Sequence, residues 1–250
     1  MSNSTLVDFT RLSPNHSGKR KYPINRITPH CVVGQMSVEM LGNIFSKKER
    51  QASCQYGIGA DGRVGLYCDE ANRSWCSSSA DNDNRAVTIE CASDRTHPYA
   101  FNSVVYQKLI DLCADICIRN GKTKLLWIPD KATALSYKLL DNEMLLTVHR
   151  WFANKSCPGD WLYARLGEVA NKVNEKINTT LQPHATNYHE VQKKYEFSDS
   201  TMEYLGNYKW ADSLFTMMLQ DKTNQKYQLN TINYILKYEY GKAVFDRLFN

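Results

Sequence analysis

The sequence has 250 residues, of which 42% are hydrophobic and 23% are charged, and this ordinary balance excludes a largely disordered chain. At roughly 100–200 residues per domain, one or two domains are expected. The net charge of +5 favours anionic partners, although the basic residues are dispersed along the chain.

The chain has no run of about 18 apolar residues, so no membrane span is expected. Its polar first segment, residues 1–21, lacks the apolar centre of a secretory signal. The eight cysteines are not densely spaced, and Cys113 and Cys117 share an apolar helix face where buried free thiols are common. We therefore expect the chain to fold in a reducing cytoplasm.

The first predicted strand covers residues 27–34 and contains His30. Pro29 has no backbone N–H to donate, so pairing is expected to begin after it. Ser37 is a suitable N-cap for the next element. The helix that it begins has its apolar positions at 38, 41, 44 and 45, which is an amphipathic spacing.

A hairpin is predicted in residues 53–68, where two alternating segments flank Asp61 and Gly62. Residues 69–85 are polar and predict a loop. Residues 86–92 alternate in polarity and predict a strand with Glu90 on its more polar face.

The next predicted elements alternate between helices and strands. A long helix is expected over residues 103–120, ended by Gly121. Strands are expected at 124–128 and 145–151, followed by a helix over 160–176. The order favours an α/β class with a mixed central sheet flanked by helices.

The end of the chain predicts a small all-α domain at residues 193–250, joined to a first domain of residues 1–180 by a polar linker at 181–192. Residues 201–219 align without gaps on residues 231–249, with matching aromatic and aliphatic positions. A fixed offset suggests a duplicated helical unit. Two unrelated amphipathic helices remain the alternative.

His30, His149 and Cys157 are the candidate metal ligands, since zinc prefers imidazole nitrogen and thiolate sulfur. A catalytic zinc site keeps three protein ligands and one open position for water. Each feature alone has an ordinary alternative. A strand histidine is often a hydrogen-bonded core residue, and the spacing from His149 to Cys157 also arises by chance.

The combination of motifs resembles a known family. PHCVVG, the hairpin around Asp61, RSWCSSSADNDNRAVTIE and VHRWFANKSCPG occur in the order found in zinc-dependent N-acetylmuramoyl-L-alanine amidases. This group includes phage endolysins, amidases of type 2 and peptidoglycan recognition proteins. The resemblance covers roughly residues 20–178, and its most specific parts are the first histidine and the His-x7-Cys-Pro ending.

The resemblance implies roles for six residues. His30, His149 and Cys157 match the zinc ligands, Glu90 and Lys155 match catalytic positions, and Trp75 matches a tryptophan beside the substrate groove. Cys54 stands where some phage members have a tyrosine, and Tyr56, two residues on, is the candidate to replace it as a substrate contact. A surface carboxylate at Glu90, a solvated Lys155 and a Trp75 that only packs on the sheet remain the alternatives.

The resemblance also implies the activity: hydrolysis of the amide bond between N-acetylmuramic acid and L-alanine by zinc-activated water, with lysis of the bacterial cell. Glu90 is expected to transfer the proton and Lys155 to stabilise the oxyanion. The expected cofactor is Zn²⁺.

The expected partners are peptidoglycan and anionic wall polymers, with no nucleic acid, and the helical domain is expected to bind the wall or to form homo-oligomers. The enzyme is expected in the bacterial cytoplasm until it is released to the wall. Two other functions are kept as alternatives: a peptidoglycan-binding protein without catalysis, and a metal-free cysteine hydrolase that uses Cys54 and His30.

Overall fold

A seven-stranded, mostly parallel sheet forms the centre of the first of two compact units, Met1–Ile177 and Asn178–Asn250. The computed structural model describes residues 2–181, 185–206 and 211–220. The strands are β1 (Val7–Thr10), β2 (His16–Lys19), β3 (Arg26–Cys31), β4 (Tyr56–Ile58), β5 (Val64–Leu66), β6 (Asn72–Ser74), β7 (Ala86–Cys91), β8 (Lys124–Leu126) and β9 (Glu143–Leu146). The described chain thus has the mixed α/β architecture that the sequence predicted.

The sheet has the strand order β1-β5-β4-β7-β3-β9-β8, and all neighbours are parallel except the hairpin of β4 and β5. The separate pair β2 and β6 is antiparallel. The helices are α1 (Val38–Phe45), α2 (Ala80–Arg85), α3 (Ser103–Arg119), α4 (Lys131–Ser136), α5 (Asp160–Tyr163), α6 (Leu166–Leu181), α7 (Ala185–Tyr195), α8 (Asp199–Gly206) and α9 (Ala211–Gln220).

The strands β3 and β7 lie at the middle of the sheet and are buried along almost their whole length. Pairing of β3 includes Pro29, which corrects the expectation that it begins later. The carbonyls of Asn25 and Ile27 accept hydrogen bonds from the backbone N–H of Leu145 in β9 and of Thr147 just after it. The backbone of Pro29 also faces the β9 side of β3, but Pro29 lies beyond Ile27, the last residue of β3 that pairs with β9. Its missing N–H therefore leaves no hydrogen bond of the sheet unmade.

Several predicted elements are confirmed and others are shifted. The hairpin around Gly62, whose φ is 83°, and the long helix α3 are present. The predicted loop at 69–85 contains β6 and α2, which begins because the Ser79 side chain accepts a hydrogen bond from the Asn82 backbone. The predicted strand at 145–151 is instead β9, which ends at Leu146, and a 3₁₀ turn at His149–Trp151.

The second unit has its own apolar core. Its described members are Val191, Met202, Leu205, Leu214, Phe215 and Met218. The segment predicted to be a linker is helical from Ala185 onward, because Val191 is buried in this core. The first predicted repeat contains α8 and α9, whereas the second, residues 231–249, lies outside the described residues. The duplication therefore stays a prediction.

None of the helices in the described part of the chain has the length and apolar character needed to span a membrane.

Candidate active site

The carboxyl ends of the central strands bring the candidate residues together. His30 is the second-to-last residue of β3, and Glu90 is the second-to-last residue of β7 and lies opposite it in register. His149 follows the end of β9 in the 3₁₀ turn. Because β3, β7 and β9 are parallel, all three side chains lie at one edge of the sheet.

His30 lies between two thiols. Its Nδ1 is 3.2 Å from the Sγ of Cys157, and its Nε2 is 3.3 Å from the Sγ of Cys76. The His149 ring lies edge-on to it, with 5.0 Å between the ring centroids. With only 1% of its surface exposed, His30 is held in one orientation by these neighbours.

His30, His149 and Cys157 fit a zinc ion. Each offers a ligand atom, and these atoms lie within 4.8 Å of one another. Two imidazole nitrogens and one sulfur are a typical zinc donor set, and ideal zinc bond lengths place tetrahedral ligand atoms about 3.3–3.6 Å apart. The 3.2 Å between Nδ1 of His30 and Sγ of Cys157 is close to that spacing.

The loop that carries Cys157 is tied to the turn that carries His149. The Arg150 backbone N–H donates to the Cys157 carbonyl at 3.1 Å, and its guanidinium donates to the Ser156 carbonyl at 2.5 Å. Asp160 accepts a further bond from the same guanidinium at 2.9 Å. The short segment thus closes on itself and places two candidate ligands together.

Both histidines are neutral at pH 7, the state in which imidazole binds a metal. Burial, together with the charge of His149, lowers the pKa of His30 to about 3. Burial and then the positive charge of Lys155 lower the pKa of His149. The Oγ of Ser78 lies 3.0 Å from Nε2 of His149 and orients this ring.

Cys157 is a half-buried thiol in the metal-free protein. Its hydrogen bond with the Cys31 side chain and its burial raise the pKa of Cys157 well above the ordinary value. A bound cation reverses this preference, because zinc binds cysteine as the thiolate and its charge favours loss of the proton.

Glu90 is suited to proton transfer. Burial raises the pKa of Glu90 to about 7, although the positive charge of Arg50 and a hydrogen bond from Cys76 act in the opposite direction. A carboxyl group with this pKa accepts and releases a proton readily at neutral pH.

A cavity of about 520 Å³ opens beside these residues. Trp75 is half-buried in its wall, and the indole Nε1 donates to the Ser17 hydroxyl at 2.7 Å. The lining residues include Phe45, Arg50, Gln51, Arg73, Trp75, Cys76, Ser78, Asp83, Glu90 and His149. The cavity has the volume of a typical ligand site, and both Trp75 and Glu90 line it.

Lys155 lies on the loop between His149 and Cys157, with its side chain exposed. Its backbone N–H donates to the Ala153 carbonyl at 2.8 Å, which fixes the base of the side chain. Its charge acts on His149, so the ammonium group belongs to the rim of the site.

The structure corrects the expectation for Tyr56. Its side chain is 0% exposed and does not line the cavity. The hydroxyl donates to Glu70 at 2.6 Å and accepts from the Ser4 backbone N–H at 2.8 Å. Tyr56 holds the N-terminal segment to the sheet, because its strand face turns away from the cavity.

The alternative nucleophile Cys54 is also fully buried, and burial raises the pKa of Cys54 well above the ordinary value. The two ring nitrogens of His30 contact Cys157 and Cys76. The geometry therefore does not support a cysteine hydrolase built on Cys54 and His30.

Sequence reasoning missed Cys76 and its support. Asp83 is buried and accepts hydrogen bonds from the backbone N–H of Cys76 at 3.2 Å and from both the N–H and the hydroxyl of Ser77. The signal was the polar run CSSSADNDN, in which serine and aspartate satisfy nearby backbone groups. Its length suggested a solvated loop instead.

The family comparison matches residues 20–160, more than half of the chain, to the model described as N-acetylmuramoyl-L-alanine amidase. All three candidate zinc ligands and Glu90 lie in the matched range. No curated protein matches the chain.

Solved structures are similar at low identity. The Staphylococcus aureus hydrolase AmiA, in complex with its ligand, is 13% identical with a TM-score of 0.48, covering 71% of this chain and 92% of its own. The N-acetylmuramoyl-L-alanine amidase LysC from Clostridium intestinale is 15% identical with a TM-score of 0.45, covering 65% and 96%. A mutant endolysin from Bacillus subtilis is 14% identical with a TM-score of 0.43, covering 67% and 99%.

Proposed function

The chain belongs to the N-acetylmuramoyl-L-alanine amidase family, and on that basis we propose that it is a zinc-dependent peptidoglycan hydrolase with its site at His30, His149 and Cys157. It cuts the amide bond between N-acetylmuramic acid and the L-alanine of the stem peptide. The observation that carries the zinc assignment is the convergence of two neutral imidazoles and a thiol at the edge of the sheet, beside a cavity.

When bound, zinc polarises the scissile carbonyl and lowers the pKa of water to about 7. The chain supplies the rest. His30 is fixed by the central strand, and the segment from His149 to Cys157 adds the other two donors. Three protein donors leave one position open for substrate or water.

Glu90 is the proposed proton carrier. Its carboxyl group lines the cavity within 4.8 Å of a His30 donor atom, so it lies beside the reacting groups. As the carboxylate it takes a proton from the attacking water, and as the acid it gives that proton to the leaving alanine nitrogen. A pKa of about 7 makes both halves of this transfer possible at neutral pH.

Lys155 is proposed to stabilise the charge of the oxyanion, and Trp75 is proposed to position the substrate. The exposed ammonium group of Lys155 offers a positive charge to the oxyanion that forms when the carbonyl is attacked. Trp75 presents an aromatic surface to a sugar ring, and its bond to Ser17 holds it in place. We expect Lys155→Ala to lower kcat by roughly 10²-fold with little change in zinc content.

Cys157 argues against a wall-binding protein without catalysis. Binding of glycan and peptide needs a groove but no third metal donor, whereas hydrolysis needs the complete donor set. The position of Cys157, 3.2 Å from His30, therefore favours the enzyme.

The test is product analysis of digested peptidoglycan together with metal analysis of the purified protein. New L-alanine amino termini and peptide-free muramic acid are expected, in proportion to one zinc ion per chain. Cys157→Ser should lose the zinc and reduce activity more than about 100-fold, because even a changed neighbour of a ligand costs 10–100-fold. Cys68→Ser, a buried cysteine outside the donor clusters, is the control. Full zinc occupancy in Cys157→Ser would refute the ligand set.

We also propose that residues 193–250 direct the enzyme to the wall or join two copies, and that a separate membrane pore releases it from the cytoplasm. The described helices of the second unit support an independently packed module. Tyr195, an aromatic residue of this segment, stacks on Phe197 and donates its hydroxyl to the Met218 carbonyl at 3.0 Å. Deletion of residues 178–250 should reduce sedimentation with purified walls, and unchanged sedimentation and lysis would exclude the targeting role.

A further inference from the structure

The described residues contain a second cluster of metal-binding side chains, and two of its three members are not ligands in the proposed catalytic site. His30, Cys76 and Glu90 each offer a ligand atom, and these atoms lie within 4.8 Å of one another. The cluster shares His30 with the proposed catalytic set, and Cys76 takes the place of Cys157 as the sulfur donor.

The shared residue can serve both clusters because an imidazole has two ring nitrogens. Nδ1 of His30 faces Cys157 at 3.2 Å, and Nε2 faces Cys76 at 3.3 Å. A metal on the Nδ1 side therefore leaves Nε2 facing the second sulfur. The two sulfur donors thus contact different nitrogens of one ring.

The second set is held in place by the fold. His30 and Glu90 are paired across β3 and β7 and cannot move apart without breaking the centre of the sheet. The Cys76 backbone is fixed by its hydrogen bond to Asp83, which also binds Ser77. The donors are thus positioned before any ion arrives, which lowers the entropic cost of binding.

Donor type and spacing fit a cation that binds sulfur. The Sγ of Cys76 is 3.3 Å from Nε2 of His30 and 3.9 Å from a carboxylate oxygen of Glu90, against about 3.3–3.6 Å between the ligand atoms of tetrahedral zinc. Nitrogen, sulfur and oxygen together select zinc over calcium or magnesium, which prefer oxygen alone. Cys76 and Glu90 both line the cavity, so an ion has a path from solvent.

We propose that His30, Cys76 and Glu90 form a second site for Zn²⁺, and that an ion bound there inhibits the enzyme. Binding displaces the thiol proton of Cys76, the carboxyl proton of Glu90 in those molecules that carry it and, when the first site is also filled, the Nε2 proton of His30. All of these protons pass to solvent. The ion occupies the carboxylate of Glu90. The predicted inhibition of hydrolysis rests on the proposed role of Glu90 in the reaction, whereas the predicted binding of a second Zn²⁺ does not.

The test counts bound ions with two probes, Zn²⁺ measured by elemental analysis after dialysis, and Cd²⁺ measured by the ultraviolet charge-transfer absorption of its thiolate bonds. The full chain is expected to bind two ions, with one thiolate for each. Cys76→Ser and Cys157→Ser should each bind one ion fewer, and Cys68→Ser should bind two. The folded state of each variant is checked by thermal unfolding, and Cys76→Ala replaces Cys76→Ser if the latter does not fold.

Activity gives the second readout, taken as the ratio between one and several equivalents of zinc within each protein. The full chain should be about 100-fold or more less active with several equivalents of zinc than with one equivalent, since this is the usual cost of losing a general base. The Cys76→Ser protein should have nearly the same activity with one and with several equivalents of zinc. A single bound ion in the full chain that depends on Cys157 would overturn the second site and leave the proposed function intact. If Cys157→Ser instead binds as much zinc as the full chain while Cys76→Ser binds less, the proposed catalytic ligand set is overturned.

Discussion

Glu70 and Glu90 are two acidic residues of one unit with very different surroundings. Glu70 is fully buried, and its carboxylate accepts hydrogen bonds from the Arg119 guanidinium at 2.6 and 3.2 Å and from the Tyr56 hydroxyl at 2.6 Å. Glu90 lies at the cavity and, in the described part of the chain, forms no ion pair; Cys76 contacts it at 3.9 Å. Burial raises the pKa of Glu90 to about 7.

The difference shows how the surroundings of a glutamate decide whether it has a structural or a reactive role. A guanidinium that contacts both carboxylate oxygens keeps the negative charge in place and ties two parts of the chain together. A carboxyl group that is desolvated without such a partner has no fixed charge state and exchanges its proton near neutral pH. Substitutions of the two clusters should therefore affect different quantities.

The largest effect on the reaction is expected from Glu90→Gln, which keeps the size of the side chain and removes its ability to carry the proton. We expect kcat to fall by roughly 10²–10⁴-fold while the first equivalent of zinc is retained. Steady-state hydrolysis of purified peptidoglycan and elemental analysis measure the two quantities. Near-native turnover in a zinc-loaded Glu90→Gln protein would show that Glu90 is not the proton carrier.

Glu70→Gln is the matched substitution in the other cluster. It removes the negative charge that Arg119 contacts and leaves Asp115 as the remaining ionic partner of Arg119, so the free energy of unfolding should fall by about 2–3 kcal/mol. Turnover per folded molecule should remain close to wild type. Urea unfolding measures the first quantity and activity below the unfolding transition the second, and a large loss of turnover without loss of stability would contradict the comparison.

The pH dependence of stability tests the surroundings of Glu90 without substrate. In metal-free protein the folded-state pKa of Glu90 is about 7, above the ordinary 4.5, so its protonated form is favoured in the folded state. Its contribution to the free energy of unfolding is thus fully present below pH 4.5 and is lost as pH rises through 7. Cavity exposure makes about 3 kcal/mol an upper bound for this loss.

The measurement is the difference in the free energy of unfolding between Glu90→Gln and wild type, both free of metal. This difference should shift in favour of Glu90→Gln between pH 4.5 and 7. A constant difference across that range would show that the folded protein does not perturb Glu90.

Tyr56→Phe is expected to have the smallest effect. It removes one hydroxyl that bonds Glu70 and the Ser4 backbone, so stability should fall by about 1–2 kcal/mol. Because Tyr56 does not reach the cavity, KM for soluble peptidoglycan fragments should not change. A raised KM with unchanged stability would restore Tyr56 as a substrate contact.

Much of the site could be predicted because its motifs lie on strands with clear patterns. The apolar strand around His30, the Asp61-Gly62 hairpin and the strand of Glu90 all have local signals, and the parallel sheet then places His30 beside Glu90. The order of these motifs, matched to a family, added His149 and Cys157, which no local pattern connects to His30.

The rest depends on contacts between distant segments. Tyr56 is two residues from Cys54, a suitable spacing for a shared face, but the sequence does not show that the Tyr56 hydroxyl bonds Glu70, which Arg119 also contacts. The polar run before β7 resembles a loop, and only the burial of Asp83 reveals the hydrogen bonds that hold Cys76 at the site. Long-range partners, rather than propensity, decide these positions.

The three proposed zinc donors are attached to the fold in unequal ways, and this bears on how long an ion stays bound. His30 belongs to a six-residue central strand, whereas His149 and Cys157 lie on one short segment outside the sheet. For the proposed ion, we therefore expect release to involve movement of that segment rather than of His30. Substitution of Arg150, whose bonds to Ser156, Cys157 and Asp160 hold the segment, is then expected to shorten the residence time of the ion, although Arg150 is not one of its ligands.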